Sequence, residues 1–163
     1  MDDKKRVMAL GFFDGIHIGH AALIQKAKEM AKRQGTVPSV LTFDQHPDTF
    51  VKGVPVPLIN SPFDRKDIIG RLFGVHEVIF IHFDERVMRM NWEAFLERVV
   101  SDFNVTGFVA GHDFTFGYKG EGNVECLMKK SRVLGIECEI VPKVEVEGIT
   151  VSSTYIRELI SAG

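Results

Sequence analysis

Two histidines, His17 and His20, stand three residues apart in the stretch MALGFFDGIHIGH (8–20). At that spacing on a helix they lie one turn apart and can face the same group. Gly11, Gly15 and Gly19 recur around them at four-residue intervals, with Asp14 between. Glycines let a backbone approach a phosphate with no Cβ atoms in the way. A strand that ends here, followed by a helix that begins here, aims backbone N–H groups and a helix dipole at an anion. Two imidazoles beside that anion can donate hydrogen bonds and stabilise charge that develops as a phosphoryl group moves. A second stretch, VSSTYIREL (151–159), opens a helix with Ser152, Ser153 and Thr154, and Arg157 follows one turn on. Those hydroxyls and that guanidinium are also phosphate-binding chemistry. A third stretch is GHDFTFG (111–117).

Each stretch alone has an ordinary reading. The first reads equally as a Gly-rich turn with two surface histidines. The second reads as an N-cap with a surface arginine, and the third as a tight turn with two core phenylalanines. His-x-x-His can bind a metal, but no Cys or third His has helpful spacing, so no metal site is expected. The phosphate-loop pattern GxxxxGK[ST] is absent, and the glycines do not fit G-x-G-x-x-G. HIGH (17–20) occurs in class I aminoacyl-tRNA synthetases, but this chain is short, is not basic and has no lysine-rich KMSKS-like loop.

These stretches must be placed by elements that the periodicity predicts. VMALG (7–11) reads as a short buried strand. A helix over 19–34 follows, with Leu23, Ile24, Ala27, Met30 and Ala31 on one face and Gly35 stopping it. PSVLTF (38–43) is the next strand. Pro47, Pro55 and Pro57 bar a regular helix from 44–60, which reads as a long loop or flap. Ser61, Pro62 and Asp64 make a capping-box-like start to a helix that buries Ile68, Ile69, Leu72 and Phe73 and ends at Gly74. Strands are expected at 76–83, 106–111 and 136–142. Between them, Asn91 caps a helix burying Phe95, Leu96, Val99, Val100 and Phe103, and another helix covers roughly 122–134. Residues 143–151 read as a hairpin turning at Glu147-Gly148, before a final helix to about 160. Strands alternating with helices predict an α/β fold, a Rossmann-like doubly wound five-stranded parallel sheet in the order 3-2-1-4-5. In such a sheet the three stretches should meet at the carboxyl edge, beside the topological switch point.

The 163 residues suggest one domain, and 45% hydrophobic with 26% charged residues is an ordinary globular balance. A formal charge of −2 argues against general nucleic-acid binding. The basic runs Lys4-Lys5-Arg6 and Lys129-Lys130 read as solvated surface, and Cys126 and Cys138 as buried thiols. No apolar run approaches the ~20 residues of a membrane span, and the N-terminus shows no signal-peptide pattern, so a cytoplasmic location is expected.

Taken together and in this order, GFFDGIHIGH, TFDQHP, GHDFTFG, GEGNVECL and VSSTYIREL resemble the FMN adenylyltransferase module of prokaryotic FAD synthetases, within the nucleotidylyltransferase superfamily. The resemblance runs from about Val7 to Ala162. It implies transfer of AMP from ATP, with Mg²⁺, to the phosphate of FMN, giving FAD and pyrophosphate. It implies that His17, Gly19 and His20 hold the ATP phosphates, with Gly11, Phe12, Asp14 and Gly15 also on the ATP side. Ser153, Thr154 and Arg157 would hold the β- and γ-phosphates from the other side, and His46, Asp113 and Phe114 would line the flavin side. His17, His20 and Arg157 are the catalytic candidates. Gln45 stands where the family often has Pro, and Thr115 where it often has Arg. Such enzymes commonly continue into a riboflavin kinase domain with a Pro-Thr-Ala-Asn motif, which residues 1–163 lack, so these residues are expected to form a single adenylyltransferase domain, either a stand-alone enzyme or the N-terminal half of a longer one. Two other readings are another small-molecule nucleotidylyltransferase, acting for example on phosphopantetheine or glycerol phosphate, and a non-catalytic flavin- or nucleotide-binding module. No protein partner is indicated.

Overall fold

A central strand of five consecutive buried residues, Arg6–Leu10, organises the molecule. Such a run suits a parallel strand covered on both faces. The computed structural model describes residues 4–11, 18–43, 62–82, 84–117, 121–142, 145–146 and 149–150. In chain order these give β1 (Arg6–Leu10), α1 (Ile18–Gln34), β2 (Val37–Phe43), α2 (Pro62–Phe73), β3 (Glu77–Ile81), α3 (Glu85–Met88), α4 (Trp92–Phe103), β4 (Val105–Gly111), α5 (Val124–Leu134) and β5 (Glu137–Val141). A two-stranded antiparallel hairpin follows, β6 (Glu145–Val146) and β7 (Ile149–Thr150).

The five main strands are all parallel, in the order β3-β2-β1-β4-β5. This is the doubly wound arrangement expected from the alternation of elements. On one face α1 and α2 bury Leu23, Ile24, Ala27, Met30 and Ile69 against Val7, Ala9, Val40 and Val109. On the other, Phe95, Leu96 and Val99 of α4 and Leu127 of α5 pack on Met8, Leu10, Leu41, Phe108 and Ala110. At Gly107 a Cβ would stand 2.6 Å from the Met30 sulfur, so the missing side chain lets α1 lie close on β4.

Several details correct the sequence reading. Leu72 is 68% exposed, not buried. The buried line of α2 runs through residues 65, 69 and 73, and α2 covers the edge strand β3, so one flank of its apolar arc extends past the sheet. Arg6 is buried, not solvated: its Nη1 donates to the Phe103 carbonyl (3.0 Å), satisfying an orphan carbonyl at the end of α4. Lys130 is largely covered and ion-paired with Glu97 at 2.7 Å, whereas Lys4, Lys5 and Lys129 are exposed. Cys126 and Cys138 are free and half-buried, and burial pushes the Cys138 thiol up. The short helix α3, capped by Asp84 Oδ1 accepting from the Val87 amide (2.9 Å), had no expectation. The 44–60 flap, the cap at Ser61 and the final helix lie outside the described residues. Among those described, no helix is long and apolar enough to cross a membrane.

Asn91 caps α4 as its sequence position suggested. Its Oδ1 accepts from the Glu93 amide at 2.9 Å and the Ala94 amide at 3.4 Å. Removing that acceptor in Asn91→Ala is expected to lower unfolding free energy by about 1 kcal/mol, read from urea denaturation. An unchanged midpoint would mean that water replaces the cap at no cost.

Candidate active site

The site is built at the carboxyl edge of the sheet, where β1 and β4 lie side by side. Leu10 pairs with Ala110, so Gly11, just past β1, and Gly111, the last residue of β4, stand at the same level on neighbouring strands. The Gly11 amide still donates to the Leu41 carbonyl of β2 (3.3 Å), so the chain stays anchored up to the point where residues 12–17 begin. Helix α1 then starts at Ile18 on the face shared with α2. It places Gly19 and His20 in its first turn, which carries no acidic residue that would oppose an anion. His20 is half-buried, with its Nδ1 turned away from solvent.

Beyond β4 the chain makes a tight turn, with the Phe114 amide donating to the Gly111 carbonyl (3.1 Å) and the His112 amide to Val141 of β5 (3.0 Å). Phe116 and Gly122 exchange two backbone hydrogen bonds, at 3.0 and 2.8 Å, and pin the far end of the loop. Asp113 is exposed at this edge, and Phe114 is half-buried. The Phe114 ring stacks on Phe116 at 5.5 Å. Phe116 meets the edge of Trp92 at 6.2 Å and a tilted Phe95 at the same centroid distance. Phe95 in turn lies 6.4 Å from Phe43, the last residue of β2. One aromatic cluster therefore supports both the GHDFTFG turn and the end of β2.

Of the candidate residues, Gly11, Gly19, His20, Asp113 and Phe114 are among those described: Gly11, Gly19 and His20 follow β1, and Asp113 and Phe114 follow its neighbour β4. Phe12, Asp14, Gly15, His17, His46, Ser153, Thr154 and Arg157 lie outside the described residues. Two features escaped the sequence reading. One is a cavity of about 280 Å³ at the carboxyl end of β3, lined by Ile81, Asp84, Arg86, Val87, Met90 and Phe95 among others. The other is Arg65, fully buried beneath the same edge. Its signal was present: residues 65, 69 and 73 share one helical face. A charged residue type concealed it. Among the described residues no group of three or more His, Cys, Asp or Glu is arranged to hold a metal ion.

Known proteins match this chain along its length. The profile of the FAD synthetase family matches residues 1–155. A bifunctional riboflavin kinase/FMN adenylyltransferase of Listeria monocytogenes is 35% identical over 163 residues, covering 99% of this chain and 51% of that protein. A protein of the same description from Bacillus subtilis is 33% identical over 165 residues, with coverages of 99% and 51%. The chain thus spans about half the length of these relatives. A crystal structure described as a macrolide-efflux protein from Streptococcus pneumoniae superposes with a TM-score of 0.84 at 30% identity, covering 98% of this chain and 52% of that one.

Proposed function

The chain belongs to the FAD synthetase family, and on that premise we propose that it transfers AMP from MgATP to FMN, forming FAD and pyrophosphate. The observation that carries this reading is the meeting of the Gly11 and Gly111 strand ends beside the N-terminus of α1 at the switch point of the sheet. Glycine-bordered backbone and a helix dipole there suit a polyphosphate, and the GHDFTFG turn supplies a second wall.

An oxygen of the FMN phosphate attacks the α-phosphorus of ATP. The new P–O bond replaces the bond to the β-phosphate bridging oxygen, and pyrophosphate leaves with that electron pair. The nucleophile is already an anion, so no strong general base is required. Catalysis reduces to positioning and to stabilising the charge that develops on the α-phosphate and the leaving group. His17 and His20 donate hydrogen bonds to these phosphate oxygens. Ser153, Thr154 and Arg157 grip the β- and γ-phosphates from the opposite side. Gly11, Phe12, Asp14, Gly15 and Gly19 shape the nucleotide side. His46, Asp113 and Phe114 line the flavin side, where Phe114 is held rigid by its stack on Phe116. The magnesium ion arrives as part of the nucleotide substrate and neutralises its charge.

Incubating the protein with MgATP and FMN is expected to yield FAD on chromatography. FAD formation that needs both substrates supports the reading. Adenylylation of phosphopantetheine or glycerol phosphate without FAD formation would move the chain to another branch of the superfamily. Binding without product would make it a binding module.

A further inference from the structure

Trp92 opens α4 directly after its cap, Asn91, and is half-buried. Its ring meets Phe116 edge-on, with centroids 6.2 Å apart and an interplanar angle of 84°. Phe116 is buried, and other groups stand close around its ring. Gly122 lies so near that a Cβ there would stand 2.7 Å from Phe116 Cε2. Phe95, itself buried, is tilted against the ring at 6.2 Å, and Phe114 stacks on it at 5.5 Å and 18°. These neighbours are held in different ways. Gly122 is tied to Phe116 by two backbone hydrogen bonds, and Phe95 belongs to the core. Phe114 is the ring that the proposed flavin wall uses. Trp92 is therefore the neighbour whose side chain decides how far Phe116 can tilt. The loop backbone is keyed to Trp92 as well, since a Cβ at Gly117 would stand 2.7 Å from Trp92 Cβ.

An edge-on pair followed by a stacked pair transmits orientation, because ring quadrupoles favour these two arrangements over others. The plane of Phe114 follows that of Phe116, and the indole sets Phe116. A planar ring system such as that of a flavin is sensitive to the plane of the side chain it packs on. A polyphosphate at the N-terminus of α1 is not. We infer that Trp92 is a positioning residue for the flavin substrate: acting through Phe116 and Phe114, it sets affinity for FMN and leaves affinity for ATP unchanged. The inference rests on the flavin half of the proposed function.

The test is fluorescence titration of FMN, with Mg²⁺ and α,β-methylene-ATP present, against the wild type, Trp92→Leu and Trp92→Phe. Calorimetric titration of ATP alone is the second reading, and each variant is checked for a native far-ultraviolet spectrum and a cooperative melt. The analogue cannot release pyrophosphate, so affinity is read without turnover. Trp92→Leu keeps apolar bulk but loses the ring edge, and is expected to weaken FMN about three- to tenfold, the scale of one aromatic pair, with ATP changed less than about twofold. Trp92→Phe restores an edge and should bind FMN within about twofold of wild type. A role in stability alone would lower the melting temperature and leave the ratio of the two affinities as it was. Equal losses of FMN and ATP, unchanged FMN affinity in Trp92→Leu, or a Trp92→Phe as weak as Trp92→Leu would overturn the inference. Where Trp92→Leu does not fold, Trp92→Met carries the same comparison; if neither folds, Trp92 belongs to the core alone and the inference fails. Trp92 is the single tryptophan of the chain, so bound FMN is expected to quench the wild-type emission. Emission that ignores bound FMN would set the flavin away from this cluster and also overturn the inference. A wild type that binds FMN but makes no FAD rejects the proposed turnover and leaves the comparison standing. A wild type that binds ATP but no FMN overturns the flavin reading and this inference together.

Discussion

His20→Ala is expected to lower kcat for FAD formation by roughly a hundredfold or more, the usual scale for losing one donor to the transition state, with little change in ATP affinity. His20 sits in the first turn of α1, and its helix is packed across β1, β2 and β4. Its backbone is thus held by the core rather than by the ligand. A group held in this way contributes most where charge appears only during the reaction, on the α-phosphate and the departing pyrophosphate. Arg157 supplies the contrast. A guanidinium on the β- and γ-phosphates grips the ground state as well, so Arg157→Ala is expected to weaken ATP binding together with kcat. Arg157→Lys should restore only part, because a point charge does not reproduce a two-pronged contact. Steady-state kinetics with direct ATP titration separates the two. Unchanged turnover in His20→Ala would refute its catalytic assignment, whatever Arg157 does.

Gly117→Ala is expected to destabilise the fold by about 2–4 kcal/mol through two independent penalties. Gly117 has φ +81°, in the left-handed region where a Cβ meets the following carbonyl. An added Cβ would also stand 2.7 Å from Trp92 Cβ, 2.8 Å from its Cα and 3.0 Å from its backbone nitrogen. Those atoms open α4 and cannot swing aside as a side-chain tip would. Relief requires moving either the start of α4 or the GHDFTFG turn, and Phe116 is tied to both. Urea denaturation should therefore show the loss, and FAD formation should fall in the variant even at temperatures where it stays folded. A midpoint equal to wild type, with full activity, would show that the loop relaxes freely and that its aromatic support is dispensable.

The sheet was legible because two regularities agree. Hydrophobic runs of strand length alternate with runs of helical period, and the rules of parallel crossovers then leave few orders for five strands. The positions of Gly11 and Gly111 at one edge follow from that order. Individual side chains were harder. Leu72 and Arg65 lie on one short helix and are read the wrong way round by type alone: the leucine hangs past the edge strand, and the arginine is enclosed. Arg6 was concealed in the same way, because a run of Lys4, Lys5 and Arg6 looks like solvated charge until its third member enters the central strand. Periodicity reports which face an element buries. It says neither how far the neighbouring layer extends nor which helix carbonyl needs a donor. Phe116 could be expected in the core. Its contacts with Trp92 and Phe95 could not, since they depend on where α4 crosses the sheet.

The pairing of β1 with β4 also determines when the site can exist. Leu10 and Ala110 touch across the sheet but are separated by 100 positions in the chain (110 − 10). Closing so large a loop costs entropy before any contact repays it, and parallel pairings of this range are slow to form. On a ribosome adding about 5–20 residues per second, β4 emerges roughly 5–20 seconds after β1. During that interval β1 can pair with β2 and collect α1, but its other edge has no neighbour. The half of the molecule that carries residues 11–20 is thus made first, and the β1–β4 edge beside Gly11 is completed later. The most buried strand of the finished protein is for that period an open template, and its protection depends on how promptly the second half arrives.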